Sequence, residues 1–415
     1  MFKNSFISKF FSNFTNVIIV SLFVILFCNP DAAAQEAIRP APDDFASPVV
    51  DQSTGSATFS LLAPNASSVS LVGNILRNQF ALDSLGNKVH INELKMNNNE
   101  GLWSVTIPSL VPDIYCYKFV VDGVETLDPH NSYTIRDVKS VSSVCYVPGE
   151  ISDLYETKSV AHGTLRYMWY HSKFRDTDRR LMVYTPAGYE SSDRSYPVLY
   201  LLHGMGGDET AWVSQGHADR ILDNLIAAGK AKEMIVVTPN GNMSRDAAPG
   251  DDILGYSSQP EFNLPNTMDG VYEEYFREII DFVDGNFRTI PTREGRAIAG
   301  LSMGGFHSMM ISINYPDLFG AVGMFSPAVM PKESVKILPD VYIAHFEKIK
   351  ALSDRGLKPF VMMIGREDFL YNSNTDFRAK LDTMGIPYTY IESDGGHEWS
   401  NWRRYLTDFL PLLFK

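Results

Sequence analysis

Cysteine is scarce in this chain, three in 415 residues. No Cys/His cluster has the spacing of a zinc site and no HExxH stretch occurs, so the sequence implies no metal. Basic charge is short as well: 36 Lys and Arg stand against 49 Asp and Glu, a net charge of -13. Nucleic acids and anionic membranes call for a basic surface, so neither is an expected partner. No internal repeat or low-complexity tract breaks the chain. What is plentiful is apolar residues, 45% against 20% charged, and that balance predicts a packed globular core.

The apolar run "VIIVSLFVILF" at 17–27 is too short to cross a bilayer as a helix, which takes about 20 residues. Lys3 and Lys9 precede it, and small residues Ala32 and Ala34 offer a cleavage site before Gln35. Residues 1–34 therefore read as a cleaved signal peptide, predicting a secreted or periplasmic protein with no membrane association beyond export. An uncleaved anchor is the alternative. Cys28 follows the bulky Phe27, which fits lipid processing poorly. Cleavage leaves Cys116 and Cys145, either bonded or as two buried free thiols.

After the Pro-rich linker "RPAPDDFASP", short alternating segments such as "SATFSLLAP", "LWSVTIP" and "IYCYKFVVDG" alternate with turn residues. This rhythm predicts an antiparallel β-sandwich over 41–150. From about 160 to 415 the pattern changes to β/α alternation. Apolar runs such as "YPVLYLL", "EMIVVTP", "RAIAG" and "PFVMMIG" read as buried parallel strands with helical segments between them. The fold class is α/β, an open and mostly parallel sheet, preceded by an all-β domain. Ligands of such sheets bind at the carboxyl ends of the strands.

The stretch "RAIAGLSMGGF" sets Ser302 between Gly300 and Gly304, after a strand and before a helix. A strand–GxSxG–helix turn strains the serine backbone and exposes its hydroxyl above the sheet edge, so Ser302 is the candidate nucleophile. A serine hydroxyl needs a base. Three histidines follow it: His307, in the helix leaving the serine; His345, mid-helix in "VYIAHFEKIK"; and His397, in the loop "DGGHEW" after a strand. His397 is the candidate base and the other two read as structural. Asp368, at the mouth of "PFVMMIGRED", is the candidate for orienting the imidazole, with its neighbour Glu367 as the alternative. The N–H of Met303 and that of Met205, in "LYLLHGMGGDE", are the candidate oxyanion donors, Gly206 being a weaker alternative to Met205.

These residues resemble the esterase D-type α/β-hydrolases, and more closely carbohydrate esterase family one, which includes feruloyl and acetylxylan esterases. The likeness rests on "LLHGMGGDETAW", "VVTPNG", "RAIAGLSMGG", "GRED" and "GGHEWSNWRRYLTDFLPLLF". It implies the same triad, Ser302, Asp368 and His397. The N-terminal part, through "ATFSLLAPNASSVSLVGN" and "YKFVVDGVETLDP", resembles the immunoglobulin-like domain of the glycogen-binding or isoamylase N-terminal type. No aromatic glucan platform stands out in it and Trp103 reads as core, so the domain is expected to position or cover the active site instead of binding polysaccharide. In the resembled fold the runs holding Cys116 and Cys145 are adjacent antiparallel strands.

The expected function is a secreted serine carboxylesterase acting through an acyl-enzyme on ester-decorated plant polysaccharide or oligosaccharide, with no cofactor. A feruloyl ester is preferred over an acetyl one. A planar aromatic acyl group needs an apolar slot, and Met205, Trp212, Met303 and Trp399 are candidates to line it; the alternative is that Trp212 only anchors its loop and that one of Trp399 and Trp402, at helical spacing, packs in the core. The alternatives are an acetylxylan esterase, an enterobactin-type siderophore esterase, a mycolyl-type acyltransferase and a non-catalytic glucan-binding protein.

Overall fold

The computed structural model describes residues 45–253, 264, 266–329 and 339–415. The signal-peptide reading of 1–34 falls outside them. Residues Ser47–Lys415 form one compact unit.

The N-terminal part is a sandwich of two antiparallel sheets. One orders its strands Val49–Asp51, Ser56–Leu62, Leu102–Ile107 and Asn97–Asn99. The other runs Thr134–Asp137, Ser140–Val147, Asp113–Val121, Val69–Val72 and Glu93–Lys95. Alternate residues point inward, and Phe59, Leu71, Trp103, Tyr117, Phe119 and Cys145 fill the space between the sheets. Trp103 donates its indole N–H to the Ala63 carbonyl at 3.0 Å, so its one polar atom is satisfied inside the core.

Cys116 and Cys145 lie on paired strands, but Cys116 stands opposite Val144 and Cys145 opposite Tyr115. A one-residue offset in a ladder puts two side chains on opposite faces. Cys145 faces the sandwich core, Cys116 faces away, and both thiols are free.

The second half is an eight-stranded sheet: β1 (Thr164–Ser172), β2 (Thr177–Thr185), β3 (Val198–Leu202), β4 (Ile235–Pro239), β5 (Arg296–Leu301), β6 (Ala321–Phe325), β7 (Phe360–Gly365) and β8 (Thr389–Ser393). Their order is β1-β2-β4-β3-β5-β6-β7-β8. β1, β2 and β4 pair antiparallel, and every pairing from β4 through β8 is parallel. β3 to β7 are buried along their whole length, which is why they read as unbroken apolar runs.

Helices cover both faces, as the period-two split of β3 shows. Val198, Tyr200 and Leu202 pack toward α2 (Val271–Asn286), α3 (Met303–Asn314), α4 (His345–Asp354) and α5 (Tyr371–Thr383). Leu199 and Leu201 pack toward α1 (Ala218–Ala227) and α6 (Trp399–Phe409). Ile114, Ile135 and Val144 of the sandwich join this second cluster, so the β-domain shares a core with the α1/α6 side. His345 opens α4 rather than sitting mid-helix: Ala344 before it has φ 52°, and the turn Asp340–Tyr342 is 3-10.

Candidate active site

β5 ends at Leu301 and α3 begins at Met303, which leaves Ser302 on the turn with φ 53° and ψ -117°. That backbone is strained for a residue with a side chain. The turn stays because its surroundings fix it. The Ser302 N–H donates to the Phe325 carbonyl at 2.8 Å, and the Ser302 carbonyl accepts from Gly305 and Ala328. The glycines permit a close crossing: a Cβ at Gly304 would lie 2.3 Å from the Leu202 carbonyl oxygen, and one at Gly300 2.5 Å from the Gly304 backbone.

His397 stands in the loop after β8. Its Nδ1 donates to Oδ2 of Asp368 at 2.9 Å, and the other Asp368 oxygen accepts the Leu370 N–H at 2.9 Å. Asp368 is buried, whereas Glu367 is exposed and offers only its backbone N–H, to the Gly395 carbonyl. The two loops meet closely, since a Cβ at Gly365 would come within 2.0 Å of the Gly395 oxygen. The imidazole lies between Phe369, with ring centroids 4.6 Å apart, and the edge of Trp402 at 4.9 Å. Phe369 had no sequence signal beyond its place beside Asp368.

Ser302 and His397 line one cavity of about 820 Å³. Its wall from the α/β half is largely apolar: Met205, Met268, Leu301, Met303, Phe369, Trp399 and Trp402. Its other wall comes from the sandwich and is mixed, with Asn74, Asp137, Ser140 and Ser142 beside Ile114, Cys116, Ile135 and Val138. Arg403 is the one arginine or lysine among the described lining residues.

Of the residues proposed for an aromatic slot, Met205, Met303 and Trp399 line the cavity and Trp212 does not. Trp212 is fully buried in the core, where its indole N–H donates to the Leu202 carbonyl at 2.9 Å. It packs edge-on against Trp399 at 5.3 Å and so supports the wall from behind. Burying its N–H against a strand-end carbonyl satisfies a polar atom that a cavity-facing ring would leave to solvent.

The loop carrying Met205 is held by His203. The Gly241 N–H donates to Nε2 at 2.8 Å, which fixes the proton on Nδ1, and Nδ1–H donates to the Gly204 carbonyl at 2.7 Å. Burial pushes the His203 imidazole down to about 4, so it stays neutral. Neither the Met205 nor the Met303 N–H has an acceptor among the described residues. His307 is buried in α3 and bonded to Glu273 of α2 at 2.6 Å, away from the triad. No three His, Cys, Asp or Glu among the described residues are grouped to hold a metal ion. No described helix is long and apolar enough to cross a membrane.

Residues 172–413 match the esterase family model ("Putative esterase"), and residues 46–135 match carbohydrate-binding module 48, the isoamylase N-terminal domain. An endo-1,4-beta-xylanase/feruloyl esterase of Xylanibacter ruminicola is 30% identical over 370 residues, 88% of this chain. The chain spans 45% of that relative's length. A CE1 ferulic acid esterase from the anaerobic fungus Anaeromyces mucronatus superposes with a TM-score of 0.50 at 26% identity, over 63% of this chain and 95% of the other. The enterobactin esterase of Shigella flexneri superposes with a TM-score of 0.59, over 86% of this chain and 92% of the other; at 15% identity this shows the fold alone. The chain therefore belongs to the esterase family, with an α/β-hydrolase half preceded by a carbohydrate-binding module 48 domain.

Proposed function

We propose that the chain is an exported serine carboxylesterase that releases hydroxycinnamate, ferulate foremost, from esterified plant polysaccharide or oligosaccharide. The observation that carries this reading is the shared cavity. Ser302 and His397 open onto a mainly apolar wall on one side, able to take an aromatic acyl group, and a mixed wall on the other, where Asn74, Asp137, Ser140 and Ser142 offer partners to sugar hydroxyls. The relative from Xylanibacter, named for xylanase and feruloyl esterase activities, supports the substrate class.

In this mechanism His397 takes the Ser302 proton as Oγ attacks the ester carbonyl. Asp368 holds the imidazole by Nδ1 and stabilises the imidazolium. The Met303 and Met205 N–H groups receive the tetrahedral oxyanion. His397 then protonates the departing sugar oxygen, and water, activated by the same imidazole, releases the acid from Ser302.

A siderophore-esterase reading shares the two-domain fold. Its anionic catecholates would need basic side chains in the cavity, and Arg403 is already bonded to Asp113 at 2.6 Å. The deciding experiment compares kcat/KM for methyl ferulate, an acetylated xylo-oligosaccharide and a ferric catecholate ester. Ferulate should lead. Faster cleavage of the acetyl ester would reassign the enzyme as an acetylxylan esterase.

A further inference from the structure

Among the described residues the sandwich touches the hydrolase through charged groups at two places, and both adjoin the loops that carry the chemistry. The first is the His397 loop. Glu398, the residue after His397, opens α6, and its carboxylate is 3.2 Å from Nη1 of Arg77 in the sandwich. Arg77 is itself fixed: Nη2 donates to Asp113 at 2.8 Å, and the guanidinium stacks on Tyr115 at 4.7 Å. Asp113 is buried and also accepts from Arg403 of α6 at 2.6 Å and from the Tyr155 hydroxyl at 2.5 Å. Burial alone would raise the Asp113 carboxyl, but Arg403 and Arg77 together hold it below the usual range.

The second place is the oxyanion loop. Asp208, directly after Gly207, is buried and bonded to Arg136 of the sandwich. Its other oxygen accepts the Thr210 N–H at 2.9 Å and hydroxyl at 2.6 Å. Glu209 is pinned in turn by Arg180 at 2.6 Å, the Ala248 N–H at 2.9 Å and Asn240 at 3.0 Å.

We infer that Arg77 and Arg136 are positioning residues: through Glu398 and Asp208 the sandwich holds the His397 loop and the Met205 loop in their working geometry from opposite sides of the cavity. The inference rests on the serine-esterase reading. Asp208 is buried, while Arg77, Arg136 and Glu398 keep 18–29% of their side-chain surface exposed, so both pairs are partly desolvated and add little net stability over an apolar contact. What an ion pair adds is direction. Directional contacts matter where a shift of about 1 Å in a catalytic group can cost roughly a hundredfold in rate.

The test uses the full chain with two small probes, p-nitrophenyl acetate and a fluorophosphonate that reacts with an activated serine. Arg77→Gln and Arg136→Gln should each lower kcat and the fluorophosphonate inactivation rate by about tenfold or more, with KM nearly constant. Arg77→Lys and Arg136→Lys should recover part of the loss. Glu398→Ala and Asp208→Ala remove the acceptors of the same contacts from the hydrolase side and should reproduce it, which covers an arginine variant that does not fold. Unchanged kcat in these variants, or losses carried by KM alone, would overturn the inference and leave the esterase reading standing. A wild-type chain whose Ser302 takes up no fluorophosphonate would overturn both.

Discussion

Nδ1 of His397 and Oδ2 of Asp368 lie 2.9 Å apart across two loops that follow neighbouring parallel strands. Glu367, one residue earlier, is exposed and takes no side-chain part in that contact. Asp368→Asn should therefore cut kcat by about 10⁴, the scale seen when a triad acid is made neutral, while Glu367→Gln should stay near wild type. Ser302→Ala should remove about 10⁶ and leave the circular dichroism spectrum unchanged. Steady-state kinetics on methyl ferulate decide the ranking, and a reversed order of the two acid variants would move the role to Glu367.

Trp212 and Trp399 touch edge to face, but only Trp399 reaches the cavity. Trp399→Ala should raise KM for an aromatic ester by about three- to tenfold, the worth of one aromatic contact. Trp212→Phe should leave KM alone and lower stability by about 1–3 kcal/mol, because the Leu202 carbonyl loses its buried donor. Kinetics paired with thermal melts separate the two effects.

A methyl group at residue 365 has no room beside the Gly395 carbonyl. Gly365→Ala should push the Asp368 loop away from the His397 loop, costing about 1–3 kcal/mol in stability and lowering kcat as well. A variant with wild-type melting temperature and turnover would show that the two loops are not held that tightly.

Two buried histidines set an acid limit on stability. Burial brings His203 to about 4, and burial beside Arg220 and Arg403 brings His217 to about 3, both below the ordinary 6.5. With a depressed folded value, the unfolded chain binds the proton first. Their contribution is full above pH 6.5 and is lost as pH falls toward the folded values, with a slope of up to about 1.4 kcal/mol per pH unit for each. Melting temperatures measured downward from neutral pH should fall, and His203→Gln should flatten the descent.

The strands and the placement of the serine, histidine and aspartate were legible because each is marked by a local pattern: an apolar run, a glycine-flanked turn, a loop at a strand end. Trp212 stayed open between a slot residue and an anchor because the sequence does not say which way a ring turns, and its N–H found the end of β3. That the sandwich covers the site was open to a sequence reading, but which of its residues wall the cavity was not. Asp113 and Arg403 are 290 positions apart, and no periodicity links residues at that distance. His203 was visible as part of a strand–His–Gly turn, but its clasp on Gly241 depends on β4 arriving beside β3.

The offset of Cys116 from Cys145 has a consequence for how the chain matures. Their side chains leave the paired strands in opposite directions, so among the described residues the native fold includes no disulfide that an oxidant or a thiol-exchange catalyst would have to form. Reductants in a purification buffer should leave the sandwich intact. The same chain should reach its native state in a reducing host cytoplasm as readily as in an oxidising compartment.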